Sequence, residues 1–369
     1  MSNQKPDMFS DIWIYPQASS YLFDTWEPVG DLAKREEIYK KKLGWHKWAP
    51  KSLLDVGMGK GFYLRYWKSA KSVQASDIDC PVLERVIERF PEVEWHIGDY
   101  LLSNPGPVEL LLLLRNVHYM WFKTLDYDYV VKAATTCYGR CVIETAFDHE
   151  QNTIKYLRRK YSKKYHPAVM KNRLRFLSEE NFKKEFEPYF ILENDFPATY
   201  KGYHTYSLKR KMPPVIKESA SIIEKMDTNS SGTKTIKLEG SWYKATTTHM
   251  AMQYLTIMQY MGHDDILQGT IIDEDGCPIG FKFKHIERTH DVESVEAKEE
   301  CALLNLRIIT RFAQIGLFPS DVVPVNVIDG RIIDMGCLFP MAIIPTGKDK
   351  GYANLQFALD KLLRVLGDR

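Results

Sequence analysis

A short glycine-rich stretch at residues 53–61 constrains the fold of this chain more than any other feature. It reads LLDVGMGKG, so that an apolar run ends in Asp55 and glycines then follow at alternate positions. A buried strand can turn into a helix close to a ligand only where side chains do not block the backbone. The stretch therefore predicts a parallel α/β sheet with a nucleotide-like cofactor at the edge where this strand ends.

The spacing of the glycines separates this turn from the dinucleotide-binding fingerprint. Gly57, Gly59 and Gly61 stand at alternate positions, whereas the third glycine of the fingerprint comes one position later and its turn holds a pyrophosphate. Asp55 also precedes the glycines. A carboxylate beside the turn favours a ligand with hydroxyl groups or positive charge over a phosphate.

Three further strands are predicted in order after the turn. Residues 72–79 form a strand with Asp77 near its end, where an acid can accept hydrogen bonds from both hydroxyls of a ribose. Residues 93–99 form a strand that ends in Asp99. The almost uninterrupted apolar run at 108–114 predicts a central strand covered on both faces. It ends at Arg115, in the crevice where open α/β sheets bind ligands.

These motifs give residues 49–143 a resemblance to class I S-adenosylmethionine-dependent methyltransferases, whose motif I matches the glycine turn. The resemblance implies a Rossmann-like domain in which the glycine turn and Asp77 hold S-adenosylmethionine and Asp99 contacts the adenine amino group. Arg115 is a further candidate for cofactor binding, or equally a packing or substrate contact. The sulfonium is already activated, so that alignment of nucleophile and methyl carbon supplies much of the rate.

Residues after the central strands are candidates for the acceptor side. His118 follows the run at 108–114, and an imidazole with an ordinary pKa near ~6.5 suits a general base for a hydroxyl. The alternative is a neutral side chain that only caps the strand. Glu144 ends the next predicted strand and is expected near the mouth of the crevice, with the charged loop 148–150 behind it. That loop contacts substrate or is only solvated.

Length and composition set the class of protein. A chain of 369 residues exceeds what one core usually organises and predicts two domains. The net charge of +2 predicts no dominant polyanionic partner. Residues 155–175 nevertheless mix lysines and arginines with tyrosines, as a phosphate-bearing or nucleic-acid substrate would require, or as a solvated helix face would.

The cysteines and the apolar runs indicate the compartment. The six cysteines show neither paired nor metal-ligand spacing, which favours a reducing, cytoplasmic setting. The first residues do not have the pattern of a signal peptide, and the longest apolar run is far shorter than the ~20 residues of a membrane span. We therefore expect a cytoplasmic protein without a membrane span.

Composition shifts divide the chain. The predicted segments are an N-terminal cap or lid at 1–48, a methyltransferase domain at 49–211, a linker at 212–232 and a small α+β domain at 233–369. The first contains many aromatic residues and a helix at 31–43, which is a lid over the crevice or an extra helix packed on the sheet. The second closes with an antiparallel hairpin within 190–209. The linker ends in the polar string DTNSSG.

The second domain contains a motif at 320–336 that reads SDVVPVNVIDGRIIDMG. It resembles the catalytic loop and metal-binding motif of protein-kinase-like phosphotransferases. The resemblance implies that Asp321 accepts a hydroxyl proton and that Asn326 and Asp334 hold Mg²⁺. It also implies that Lys244, in the second strand of a hairpin predicted at 235–245, pairs with the phosphates of ATP.

The second domain also departs from the kinase pattern. No glycine-rich phosphate loop precedes Lys244, Pro319 replaces the usual histidine before the catalytic acid, and Gln253 stands where kinases have the glutamate partner of the lysine. On the kinase mapping, 281–287 is the strand beside adenine and 297–315 is the main helix of the second lobe. An active kinase, a pseudokinase and an unrelated α+β domain all remain open.

A methyltransferase followed by a kinase-like domain resembles the bifunctional enzymes that phosphorylate and methylate the terminal sugar of bacterial O-antigen polysaccharides. The expected activity is methyl transfer to a hydroxyl or phosphate of a glycan or small molecule, with a second domain that phosphorylates the same substrate. One alternative is an RNA methyltransferase with a C-terminal binding domain or pseudokinase. The other is a non-enzymatic regulator that has kept its ligand pockets. The sequence predicts no oligomeric state.

Overall fold

A computed structural model describes the greater part of the chain. The described residues are 30–59, 61–67, 69–78, 83–101, 103–117, 128–146, 178–198, 203–228, 233–312, 315, 317–319, 322–335 and 338–340. They fall into two compact units, the first within 1–129 and 139–210 and the second within 130–138 and 211–369. His118, Asp321, the loop 148–150 and the basic segment 155–175 lie outside the described residues.

The first unit is a mixed α/β structure on a seven-stranded sheet with the order β3-β2-β1-β4-β5-β7-β6. Its strands are β1 (Ser52–Val56), β2 (Ser72–Asp77), β3 (Glu94–Ile97), β4 (Val108–Leu114), β5 (Cys137–Ala146), β6 (Phe190–Pro197) and β7 (Tyr203–Arg210). Strand β1 pairs in parallel with β2 and β4, and β2 pairs in parallel with β3. Strand β7 is antiparallel to both β5 and β6. This arrangement is Rossmann-like, closed by the antiparallel hairpin that the sequence predicts at 190–209.

Burial explains why the central strands form. All five residues of β1 are buried, and six of the seven residues of β4 are buried, with Glu109 the exception. A strand covered on both faces needs such a continuous apolar run. The helices in chain order are α1 (Gly30–Leu43), α2 (Phe62–Tyr66), α3 (Leu83–Arg89), α4 (Asp128–Thr136) and α5 (Glu179–Phe186). From Val130 onward α4 belongs to the second unit, and the other four helices belong to the first.

Aromatic side chains attach α1 and the residues after it to the core of the first unit. Trp45 is fully buried and packs edge-on against Tyr39, Tyr63 and Trp67, with ring centroids 4.7, 5.3 and 5.2 Å away. Such pairs add roughly 0.5–1.5 kcal/mol each beyond the burial of their area. The helix predicted at 31–43 is thus observed at Gly30–Leu43 as part of this core.

The second unit contains a five-stranded antiparallel sheet with the order β11-β12-β10-β9-β8. Its elements in chain order are α6 (Ser219–Glu224), β8 (Asp227–Thr228), β9 (Lys234–Leu238), β10 (Ser241–Ala245), α7 (Thr248–Met261), β11 (Leu267–Ile272), β12 (Pro278–Phe283) and α8 (Val295–Phe312). After α8 come two short antiparallel pairs. They join β13 (Leu317–Pro319) to β16 (Leu338–Pro340) and β14 (Val327–Ile328) to β15 (Arg331–Ile332).

Two tight hairpins of the second unit agree with the sequence. Glu239 and Gly240 have φ angles of 48° and 77°, and Asp329 and Gly330 have φ angles of 47° and 71°. Positive φ at both central residues is what a two-residue hairpin turn with the twist of its strands requires. The strand predicted at 281–287 is wrong in its extent, however. Strand β12 ends at Phe283, because that residue makes the last pair with both neighbouring strands.

No helix among the described residues is both long enough and apolar enough to cross a membrane.

Candidate cofactor site

The glycine turn follows β1 with the backbone that the sequence predicts. Gly57, Gly59 and Gly61 have φ angles of 68°, 59° and 77°, which side chains rarely tolerate. A Cβ atom on Gly57 would lie 2.8 Å from the Nδ2 atom of Asn116. The N–H of Gly57 donates to the carbonyl of Ser76 over 2.6 Å. Close approach from β4 and β2 therefore fixes the first residue of the turn.

Gly61 has a further constraint that is independent of any ligand. A Cβ atom there would lie 3.0 Å from Val86 and 3.1 Å from Phe90, on and just after helix α3. Helix packing therefore also requires a glycine at this position. The sequence analysis considered only the ligand, because the packing partner lies more than twenty positions away along the chain.

Asp77, at the end of β2, holds the glycine turn through its carboxylate. Its Oδ2 atom accepts a hydrogen bond from the N–H of Gly59 over 3.1 Å, and Oδ1 accepts one from the N–H of Ile78 over 2.7 Å. Burial raises the pKa of Asp77, and these two hydrogen bonds oppose the rise. Each carboxylate oxygen has further lone pairs, so that Asp77 can bind a ligand hydroxyl while it holds the turn.

Asp55, at the carboxyl end of β1, is a buried acid with an unsatisfied oxygen. Its side chain is 2% exposed, and Oδ2 has no hydrogen-bond partner among the described residues. Burial raises the pKa of Asp55 well above its usual value, the charge of Asp77 raises it further, and Arg35 opposes the rise. Such a carboxylate is costly, and a ligand that brings a cation or a donor would relieve the cost.

Two neighbouring residues also have buried oxygens without a hydrogen-bond partner in the described part of the chain, and the sequence analysis did not identify them. The Oγ of Ser76, on β2, and the Oδ1 of Asn116, just after β4, are buried and have no hydrogen-bond partner within the described part of the chain. With Asp55 they lie at the carboxyl ends of three adjacent strands. Buried polar atoms without partners are rare and call for an explanation. The only sequence signal was their position beside a predicted strand end.

Asp99 follows β3 at the same edge of the sheet. Ile97 pairs with Asp77 in the sheet register, and the N–H of Gly98 donates to the carbonyl of Asp77 over 2.8 Å. The Oδ1 atom of Asp99 accepts a hydrogen bond from the N–H of Leu101 over 3.2 Å. The predicted adenine-binding acid thus follows the strand next to the predicted ribose-binding acid.

Arg115, just after β4, forms an ion pair with Glu144 on the neighbouring strand β5, and only the glutamate is fully buried. The Nε atom of Arg115 donates to Oε1 of Glu144, and its backbone N–H donates to the carbonyl of Glu144 over 2.8 Å. The hydroxyls of Tyr39 and Thr205 donate to Oε2 over 2.5 and 3.4 Å. Burial alone would raise the pKa of Glu144, but the charges of Arg35 and Arg115 and the hydrogen bond from Tyr39 lower it to about 2.

A substrate role for Glu144, which the sequence left open together with that of the loop 148–150, is contradicted by its burial. The side chain of Glu144 is fully buried. The partners that surround it come from residues distant in sequence, on α1 and β7, so that the sequence around 144 could not reveal them.

Two predicted residues of the second unit, Lys244 and Asn326, are hydrogen-bonded to the backbone of Ile333, which directly precedes the third, Asp334. The Nζ of Lys244 donates to the carbonyl of Ile333 over 2.6 Å, and the N–H of Ile333 donates to the carbonyl of Asn326 over 2.9 Å. Asp334 follows Ile333 directly. These hydrogen bonds place the ammonium of Lys244 beside the backbone that links Asn326 to Asp334.

The segment around Asn326 is held by an arginine that the sequence analysis did not single out. The guanidinium of Arg288 donates to the carbonyls of Pro324, Val325 and Val327 over 2.8, 3.0 and 3.0 Å. On α7, Gln253 is buried and donates to the imidazole of His249. At the position where the kinase pattern has an acid, this chain therefore has a neutral pair.

One group among the described residues has the spacing of a metal site, but a lysine already occupies it. Glu179, Asp195 and His204 offer ligand atoms within 4.8 Å of one another. The ammonium of Lys183 lies 2.6 Å from Glu179 and 2.7 Å from Asp195. The cluster is a partly exposed ion-pair network.

The first unit thus defines a Rossmann-like protein, with buried polar oxygens at the carboxyl ends of its parallel strands. No protein-family model matches the sequence, and no curated protein matches it.

The solved structures that resemble about half of this chain include three methyltransferases. The N-methyltransferase NodS of Bradyrhizobium japonicum WM9, in complex with S-adenosyl-L-homocysteine, is 12% identical, with 48% of this chain and 86% of that chain covered and a TM-score of 0.35. An rRNA methylase of Escherichia coli is 16% identical, with 49% and 65% covered and a TM-score of 0.33. An O-methyltransferase from Nostoc punctiforme PCC 73102, itself described as putative, is 13% identical, with 48% and 56% covered and a TM-score of 0.34. Likeness this remote carries no argument about activity.

Proposed function

We propose that this chain is an S-adenosylmethionine-dependent methyltransferase that acts on a hydroxyl or phosphate of a glycan or small molecule. The observation that carries the proposal is the set of buried oxygens on Asp55, Ser76 and Asn116, which lack partners in the described residues beside the glycine turn. They suit a ligand with several hydrogen-bond donors and positive charge, as S-adenosylmethionine has. A pyrophosphate, which is an acceptor and an anion, would not satisfy the carboxylate of Asp55 or the amide oxygen of Asn116, although the hydroxyl of Ser76 could donate to it.

On this proposal each half of the cofactor would contact a different part of the edge. Asp99 after β3 would accept from the adenine amino group, and Asp77 on β2 would accept from the ribose hydroxyls. Asp55 and Asn116, on β1 and after β4, would then accept from the ammonium of the amino-acid half. When bound, S-adenosylmethionine supplies an activated methyl group, and the protein contributes mainly position. His118 remains the predicted general base.

A second function for the other unit has its own support. We propose that this unit is kinase-like and binds ATP with Mg²⁺. The chain of hydrogen bonds from Lys244 through Ile333 to Asn326 supports it. Lys244 would pair with phosphates, Asn326 and Asp334 would hold Mg²⁺, and Asp321 stays the predicted catalytic acid. Gln253 in place of the usual acid leaves a pseudokinase as the alternative.

Together the two units suggest that one glycan or small molecule is both methylated and phosphorylated, in the cytoplasm. The rival proposal is an RNA methyltransferase that binds through 155–175. Because phosphate contacts release counterions, RNA binding that weakens steeply with salt would favour the rival. Binding that is absent or insensitive to salt would favour the smaller substrate.

Calorimetry separates the two proposed functions. S-adenosylmethionine, and ATP with Mg²⁺, would be titrated into the wild type, Asp77→Ala and Asp334→Ala. We expect Asp77→Ala to lose only the first ligand and Asp334→Ala only the second. A wild type that does not bind S-adenosylmethionine would contradict the methyltransferase proposal, and one that does not bind ATP would contradict the kinase-like proposal alone.

A further inference from the structure

Glu144 connects three parts of the first unit that are far apart in sequence. Its carboxylate accepts hydrogen bonds from Tyr39 on α1 and Thr205 on β7, and it is ion-paired with Arg115 after β4. The contacts with Tyr39 and Thr205 are buried, and the contact with Arg115 is partly buried. In such surroundings the geometry of charged hydrogen bonds is held more firmly than at a surface.

Arg115 has a backbone conformation that it would not adopt without help. Its φ angle is 64°, in the left-handed region that favours glycine. Two bonds hold it there, one from its side chain to the carboxylate of Glu144 and one from its N–H to the carbonyl of Glu144. A strained residue at a strand end beside a ligand crevice is a common way to fix a neighbouring functional group.

The next residue carries this constraint to the glycine turn. Asn116 follows Arg115, and its Nδ2 atom donates to the carbonyl of Val56 at the start of the turn. The same Nδ2 atom lies 2.8 Å from where a Cβ of Gly57 would be. The Oδ1 atom of Asn116 is buried without a described partner. The direction of the Asn116 side chain therefore depends on the backbone of Arg115.

We propose that Glu144 is a positioning residue of the cofactor site. By holding Arg115 in its left-handed conformation, it sets the side chain of Asn116 against the glycine turn and presents Oδ1 to the amino-acid half of the cofactor. This inference rests on the proposed methyltransferase function. It assigns to Glu144 no contact with substrate or cofactor.

A buried ion pair with a purely structural role would give a different pattern. Loss of stability would weaken every ligand of the site alike, whereas a misplaced Asn116 weakens only ligands that reach it. Adenosine has the groups for Asp77 and Asp99 but lacks the ammonium. S-adenosylhomocysteine has both halves. The ratio of the affinities for S-adenosylhomocysteine and adenosine therefore reports the position of Asn116 and does not depend on the stability of the protein.

The test is calorimetric titration of S-adenosylhomocysteine and adenosine into folded variants, well below their melting temperatures. We expect Glu144→Gln to weaken S-adenosylhomocysteine about tenfold or more, as loss of a supporting contact behind a ligand group does, with adenosine within about twofold. Asn116→Ala should reproduce that ratio. Arg140→Gln, which removes an exposed ion pair with Glu193, is the matched control and should change neither affinity.

Variants of Arg115 keep the test decisive if Glu144→Gln does not fold. Arg115→Gly and Arg115→Ala remove the side-chain bond to Glu144 and keep the backbone bond, but glycine tolerates the backbone angle better than alanine. The glycine variant should therefore melt higher, while both lose affinity for S-adenosylhomocysteine selectively. Unchanged affinity ratios in these variants would overturn the inference. A wild type that binds neither S-adenosylmethionine nor S-adenosylhomocysteine would instead remove the proposed function on which it rests.

Discussion

The hydroxyl of Tyr39 donates a hydrogen bond of 2.5 Å to the fully buried carboxylate of Glu144, across 105 positions of sequence. The bond joins the first described helix, α1, to the strand that follows α4. It is short because the acceptor is ionised, and charge-assisted hydrogen bonds are shorter and stronger than neutral ones. Helix α1 is therefore fixed to the sheet by a polar bond as well as by the packing of Trp45.

Tyr39→Phe should destabilise the first unit by about 2 kcal/mol, the usual loss for a hydrogen bond to a charged group. The measurement is urea unfolding followed by far-UV circular dichroism. Tyr260→Phe is the matched control, because the Tyr260 ring packs on Phe312 and its hydroxyl has no hydrogen bond within the described residues. Equal loss in the two variants would mean that the bond to Glu144 adds nothing beyond ring packing.

The low pKa of Glu144 predicts a specific loss of stability in acid. The pKa is lowered from 4.5 to about 2, because Arg35, Arg115 and Tyr39 outweigh the burial that would raise it. A carboxylate whose pKa is lower in the folded than in the unfolded state stabilises the folded state at pH values above the unfolded pKa. This contribution, of the order of 3 kcal/mol, is therefore lost as pH falls from 4.5 to about 2. Free energies of unfolding measured from pH 6 to 2 should show this slope in the wild type. Glu144→Gln should be less stable at pH 6 and should lack that part of the slope.

Asp55→Asn should lower the affinity for the cofactor and raise the stability of the fold. Burial and the charge of Asp77 raise the pKa of Asp55, so that the ionised form is unfavourable in the folded protein. The amide removes the like-charge repulsion, and we expect a gain of about 1 kcal/mol at pH 7. Affinity for S-adenosylmethionine should fall about tenfold or more, because the acceptor for its positive charge is lost. Glu88→Gln, at an exposed position of α3, should change neither quantity. A destabilised Asp55→Asn variant would contradict this account.

The central sheet could be predicted from the sequence because each of its signals lies within a few neighbouring residues. The run at Val108–Leu114 is both the apolar stretch and the observed strand, and the turn at Gly57 needs only its own backbone angle. The succession of the first strands along the chain followed from the glycine turn and the acids after it. The hairpins at Gly240 and Gly330 could be predicted in the same way, because a turn that needs a positive φ angle favours glycine at that position.

The rest of the candidate site depended on distant partners. Ser76 and Asn116 became candidates only because the structure buries their oxygens without partners. Glu144 was misjudged, because burial by residues of α1 and β7 leaves no trace in the sequence around it. The role of Arg288 is likewise invisible, since it bonds backbone carbonyls that any residue could supply.

His249 should make the second unit sensitive to mild acid. Burial and, to a smaller extent, the charge of Lys132 lower its pKa from 6.5 to about 4. A histidine with a lowered pKa resists protonation when folded, so that stability is full above pH 6.5 and declines as pH falls towards 4. Melting temperatures of the second unit between pH 7 and 4 should show the decline. His249→Gln should flatten it, whereas the exposed His285→Gln should leave it unchanged.

Arg288→Lys should loosen the segment that contains Asn326 without changing charge. The guanidinium satisfies three backbone carbonyls at once, and an ammonium on a shorter reach cannot hold all three in that geometry. We expect a loss of about 2 kcal/mol in the second unit, because a hydrogen bond from a charged group is lost. If Asn326 holds Mg²⁺, affinity for ATP with Mg²⁺ should fall while affinity for metal-free ATP changes little. Arg307→Lys, at an exposed position of α8, is the matched control. Equal weakening of both forms of ATP would argue that Arg288 acts on the fold alone.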